Sequence, residues 1–179
     1  MLKRIVLAGL IIIALSPAAR AQTLTSAQLA TLKAAIQADS GALPYWTIGN
    51  FDGLATYENA VTNPAFIVWK TRVQIDDVGN AINNAELAGL STLNATRLQT
   101  LVMLSQAGVN PSISNRRAFF DDIFSGTGGT NTRAALLALW KRTATHFERA
   151  FTTGTGSDAS PGQIVIEGPV SVSLLVSLQ

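Results

Sequence analysis

The sequence predicts a mainly helical fold of five or six helices with a short C-terminal β segment, α+β if the strands pair within the chain. Three observations predict it. Apolar residues recur at steps of three and four in the stretches 26–39, 91–107 and 131–151, the spacing that lines one face of an α-helix. Residues that cap or break helices separate these stretches. From Val170 onward the apolar period changes to two, as in a half-buried strand.

The chain opens MLKRIVLAGLIIIALSPAARAQ. Two basic residues, Lys3 and Arg4, precede an apolar run to Leu15. Ser16-Pro17 ends it, and Ala19-Arg20-Ala21 is a small-x-small triplet. That order is the pattern of a secretory signal peptide cleaved after Ala21; a spurious N-terminal extension is the other reading. The run is about half the roughly 20 residues a membrane span needs, so no stable span is expected once it is removed. Its loss takes Lys3, Arg4 and Arg20, leaving ten basic residues against eleven acidic ones, a net charge of −1. The pI of 9.3 belongs to the whole chain and is not a nucleic-acid signature, which needs a basic patch on the folded domain. Residues 22–179 are expected to form a single mainly helical domain with its strands within 163–178. Some 158 residues suffice for a core, and the absence of cysteine excludes disulfide and thiolate chemistry.

The first helix, 26–39, is announced by Thr25 with Gln28 three residues on, a capping-box spacing, and by Leu29, Leu32 and Ile36 on one face. ALPYWTIGNFDG reads as an aromatic connector, after which Asp52 caps a short helix running to about Val61. Residues 65–73, AFIVWKTRV, read as a buried strand or a tight extended segment. Asp76-Asp77 start a short helix with Val78 and Ile82 inward. Ser91 or Thr92 caps the next helix, with Leu98, Leu101, Val102 and Ser105 along one face, Leu104 widening it, and Gly108 at its left-handed end. Another covers about 114–124 and stops at Gly126. The longest is expected over 131–151, where Leu136, Trp140, Ala144, Phe147 and Phe151 form one apolar stripe. The Gly- and Ser-rich stretch that follows is a loop. Strands are then expected at 163–167 and over 170–178, where Val170, Val172, Leu174, Val176 and Leu178 alternate with Ser171, Ser173, Leu175 and Ser177.

Groups suited to catalysis are few. His146 is the sole histidine, with Arg142 and Arg149 a turn away. One reading is acid–base catalysis, its pKa depressed by those cations; the adopted reading is a surface histidine on a basic helix face. A hydrolase would need Ser157 or Asp158 beside it, and no spacing places them there. Asp76-Asp77 and Asp121-Asp122 are adjacent pairs, whose side chains point about 100° apart on a helix. They read as helix-start or solvated charge. One histidine and no cysteine give no metal-ligand spacing, and no cofactor is expected. Residues 154–159, GTGSDA, match G-x-G-x-x-A, but a nucleotide loop needs a strand before it and a helix after it, and Pro161 follows. Tyr45, Trp46 and Phe51 read as core or interface aromatics in preference to a stacking platform.

The segments LTSAQLATLKAAI, NPAFIVWKTRV, RLQTL, GVNPS, RAFFDDIFSG, NTRAALLALWKR and FTTGTGSDASPGQIVIEGPVS resemble, in that order, a family of small proteins encoded in bacteriophage and prophage genomes. The resemblance covers nearly all of residues 25–179 and implies a component of the virion structural genes, with no catalytic residue to carry across. The front departs from it, because family members are expected to begin near Leu24. The expectation is a non-enzymatic virion protein, in the virion or in host cytoplasm during assembly, which pairs with other virion proteins or with itself. Its interface would use Trp69, the loop residues Gly154, Gly156, Asp158 and Pro161, and the tail residues Val170, Val172, Leu174 and Val176. The alternative is an exported periplasmic binding or interaction protein.

Overall fold

Thr25 caps the first helix, α1 (Ser26–Ala38), and its reciprocal capping box with Gln28 forms. This is the computed structural model of the chain, and it describes residues 23–179; the expected signal segment, 1–21, lies outside them. The aromatic connector contains a short helix, α2 (Leu43–Thr47), whose first turn holds Pro44, where a missing N–H costs nothing. Asn50, and not Asp52, caps α3 (Phe51–Asn59), accepting from Gly53 N at 3.0 Å. Then follow β1 (Ile67–Trp69), α4 (Ile75–Ala81), α5 (Asn84–Ala88), α6 (Thr92–Leu104) and α7 (Ser114–Ile123). A short 3-10 turn leads into α8 (Thr130–Leu139), β2 (Lys141–Thr143), α9 (His146–Ala150), β3 (Thr152–Thr153), β4 (Gln163–Ile164) and α10 (Val172–Val176). The fold is mainly helical with a few short strands. Its ten α-helices among the described residues exceed the expected five or six, because several are single turns between caps.

The strands pair within the chain. β1 and β2 run antiparallel with Ile67 opposite Thr143 and Trp69 opposite Lys141, and β3 pairs with β4. The loop 154–162 completes β1: Ile67 N donates to the Gly156 carbonyl at 2.7 Å, and Gly162 N to the Ile67 carbonyl at 2.8 Å.

Two expected elements are corrected. The stretch 131–151 is not one helix. α8 stops at Trp140, whose carbonyl accepts from Lys70 N at 2.8 Å. Residues 141–143 leave to pair with β1, and Thr145 starts α9 afresh with a full capping box to Glu148. All five stripe residues are buried, but Leu136 and Trp140 belong to one apolar cluster and Phe147 and Phe151 to another. The tail is the second correction. The strand expected over 170–178 is instead α10, capped by Ser171, which accepts from Leu174 N at 3.2 Å. Leu175 and Leu178 are buried, while Val172 and Val176 face outward. Burial at a three-residue step wins over the alternation read from the valines. The strand expected at 163–167 is cut to Gln163–Ile164.

The two clusters set the architecture. Phe120, Ile123, Phe124, Leu136 and Trp140 anchor the first with α4, α6, α7, α8 and β1. Leu32, Ile36, Leu54, Phe147 and Leu175 anchor the second with α1, α3, α9 and α10. Phe120 meets Trp140 edge-on at 5.4 Å, and Phe147 meets Phe151 edge-on at 5.3 Å, the aromatic geometry that adds to area burial. Glu86 of α5 supplies the cap α8 lacks, accepting from Asn131 N and Thr132 N at 2.9 and 2.7 Å.

Candidate functional site

The end of α1, the end of α3 and the start of α9 enclose an open pocket of about 400 Å³, and Asp39, Glu58, His146 and Arg149 line it. Asp39 closes α1 and folds back on the chain, its Oδ1 accepting from Gly41 N at 2.8 Å. The Tyr57 hydroxyl donates to the same oxygen at 2.9 Å. Gly41 makes that approach possible, since a Cβ there would lie 2.3 Å from the Tyr57 hydroxyl. His146 Nδ1 faces Asp39 Oδ2 at 3.3 Å, and its ring lies 4.2 Å from the Tyr57 ring, centroid to centroid. Its side chain is 13% exposed. The surface-histidine reading is therefore corrected: His146 is packed and oriented by a carboxylate 107 residues away. Arg142 does not flank it, because its guanidinium is held by Glu148 and Glu167.

The electrostatics divide the carboxylates. Burial would raise Asp39, but the Gly41 amide, the Tyr57 hydroxyl, the Ala42 amide and His146 together hold it below the usual range. Tyr57 is pushed up to about 12 by burial and by its bond to Asp39. Glu58 rises to about 7, through burial first and the Asp39 charge second. With Asp39 ionised, His146 Nδ1 is the donor of that pair. An ionised Asp39 beside a half-protonated Glu58 can exchange one proton near neutrality and receive a cationic group.

A second feature lies between α6 and α7. It is a groove of about 600 Å³ whose walls include Leu101, Leu104, Ile113 and Phe119, with Arg97 and Arg116 among its polar groups. Leu104 is 77% exposed and its neighbour Met103 72%. Arg97 stacks on Phe119 at 4.9 Å and reaches Asp122 at 3.8 Å.

The residues expected to form an interface are dispersed by the fold. Trp69, the last residue of β1, is buried, with the Arg117 guanidinium 3.9 Å from its ring. Val170 is buried and exchanges two hydrogen bonds with Asn59; Pro161 is buried as well. Gly154 and Gly156 take positive φ, and Asp158 pairs with Lys141 at 2.9 Å, all fastening the loop to this chain's own β1–β2 pair. Leu174 is half-buried, and only Val172 and Val176 of the tail set are exposed. Ser157 caps its own loop at Ser160 N, and Asp39, not Asp158, meets His146. Spacing could not have found Asp39, Tyr57 and Glu58, since tertiary packing alone brings them to α9; the one local signal was Asp39-Ser-Gly at a helix end.

Set against models of protein families, curated proteins and solved structures, the chain matches none.

Proposed function

We propose that the chain is a non-enzymatic structural protein of a phage or prophage particle, of the tail or head–tail region, working through protein–protein interfaces. The observation that carries this reading is the α6–α7 groove. Large apolar side chains left in water beside a groove cost free energy until a partner covers them, and such patches mark interaction surfaces. Leu104, Met103 and Ile113 are such side chains. Two guanidiniums and no carboxylate line the groove, so its occupant is another virion protein that presents an apolar segment flanked by carboxylates. The order of the resembling segments supports the phage assignment. No helix among the described residues is long and apolar enough to cross a membrane.

The test is fractionation of the native host after particle production, with determination of the chain's N-terminal residue. Co-purification with particles and a start near Leu24 support the virion reading. A terminus at Gln22 with the chain in the periplasm supports the second reading, an exported binding or interaction protein, which the signal-like order of residues 1–21 favours.

A further inference from the structure

Trp140 is 2% exposed, and its indole Nε1 is the one buried side-chain nitrogen or oxygen among the described residues that has no hydrogen-bond partner. Buried indole N–H groups ordinarily find an acceptor. Trp140 lines a cleft of about 440 Å³ between α7 and α8. Arg117 and Asp121 enter it from α7, Arg133 and Leu137 from α8, and Trp69 from β1.

A second unmet demand in the same cleft has the same sign. Arg117 is half-buried, lies on the Trp69 ring at 3.9 Å, and forms an ion pair with no described carboxylate. Burial works against its charge, and Asp121 one turn on offsets only part of that. Its Nη1 donates to the Pro111 and Ser112 carbonyls, as Arg133 Nη1 does to those of Phe124 and Gly126. Both guanidiniums are thereby held in place with no carboxylate bound to them. The charged groups of the lining are these two and Asp121, a net charge of +1.

We propose that this cleft binds a small aromatic monocarboxylate, its carboxylate shared between the Arg117 guanidinium and the Trp140 indole N–H and its ring packed on Trp69, Trp140 and Leu137. A carboxylate offers one oxygen to each of the two donors, and its bonds to a guanidinium are among the strong ones. One negative charge cancels the net charge of the lining. Indole rings pack favourably on another flat ring, offset or edge-on. Nε1 is covered in the free chain, so the indole turns towards the carboxylate on binding, a side-chain adjustment of the common kind. A cation is repelled by the two guanidiniums, and an uncharged ring leaves Arg117 unpaired. The volume lies in the range of small-molecule sites. The proposal goes beyond the virion reading and does not depend on it. Arg116 lines the α6–α7 groove and Arg117 this cleft, so α7 separates the two.

The experiment is two-dimensional proton–nitrogen NMR of the full chain at pH 7 and low salt, titrated with benzoate, phenylacetate and 3-phenylpropanoate. The three tryptophans give three indole N–H signals. Trp46, which packs against the other apolar cluster, is the internal control. The expected result is a saturable shift of the Trp140 signal with at least one probe, at a Kd below about 1 mM, with the Trp46 signal unmoved. The corresponding amide should bind about tenfold more weakly or worse. Arg117 also ties down the Pro111–Ser112 segment, so exposed neighbours make the cleaner variants. Asp121→Asn should tighten binding about threefold by removing a like charge, and Leu137→Glu should weaken it about tenfold by adding one. No saturable shift up to about 10 mM overturns the proposal. So does a Trp140 signal that stays in place under every probe, its N–H then being met by a buried water only. An amide that binds as tightly as its acid, or an affinity unchanged in both variants, overturns it as well.

Discussion

Glu148 grips Arg142 with both carboxylate oxygens, at 2.6 and 2.8 Å, from a buried position on α9. The same carboxylate accepts from Thr145 N at 3.0 Å and Gly168 N at 3.1 Å. One side chain thus joins β2, the start of α9 and the segment leading to α10. Glu148→Ala should destabilise the chain by about 3 kcal/mol in urea denaturation; the usual cost of breaking a buried pair is tempered because Arg142 is a quarter exposed and keeps Glu167.

Acid should weaken the same junction. Burial alone would raise Glu148, but Arg142 and the Thr145 and Gly168 amides outweigh it and hold the group below its ordinary 4.5. The native state therefore binds this proton less tightly than the unfolded chain. Its contribution is complete above pH 4.5 and is lost as pH falls through the lower native value. Urea midpoints across that window should fall more steeply for the wild type than for Glu148→Gln; parallel curves would refute this.

Glu58 has the opposite sign. Its native value, about 7, lies above the ordinary 4.5, so the native state holds the proton more tightly. Stability falls as pH rises from 4.5 to 7, and the deficit persists above. The shift corresponds to roughly 3 kcal/mol. Glu58→Gln should therefore gain on the wild type by about that amount between pH 4.5 and pH 8, measured by urea denaturation.

The loop at 154–162 makes a sharper structural prediction. Gly156 has φ +67°, and a Cβ there would lie 2.4 Å from the Phe66 ring. Gly156→Ala meets both backbone strain and a clash, and should cost about 2 kcal/mol or more. Gly128→Ala, with open space around it, is the control and should stay within about 0.5 kcal/mol of wild type.

Local chemistry made much of this fold legible, and long-range pairing hid the rest. Thr25 with Gln28, and Ser91, cap their helices as their spacing announces, because a cap acts within a few positions; Gly108, expected at the left-handed end of α6, takes positive φ but lies past the Ser105 cap that ends the helix. The break at 140–145 was written in the sequence as Thr145-x-x-Glu148, a second capping box, but the apolar stripe running through it has the period of one helix. What ends α8 is a strand partner some 70 residues earlier. In the tail, Leu175 interrupts the alternation, and Ser171 is placed to cap a helix; the valine–serine rhythm obscured both. The pocket was legible only in Asp39-Ser-Gly at a helix end, since no short-range pattern links Asp39 and Glu58 to His146.

The groove between α6 and α7 carries the functional account, and Leu104→Asp tests it most directly. The side chain is exposed, so the substitution should leave the thermal midpoint of the isolated chain within about 2 °C. Sedimentation of particles from a host making either form should find the wild-type chain in the particle fraction and the variant excluded from it. A variant incorporated as fully as the wild type, or a wild-type chain absent from particles altogether, would contradict the account.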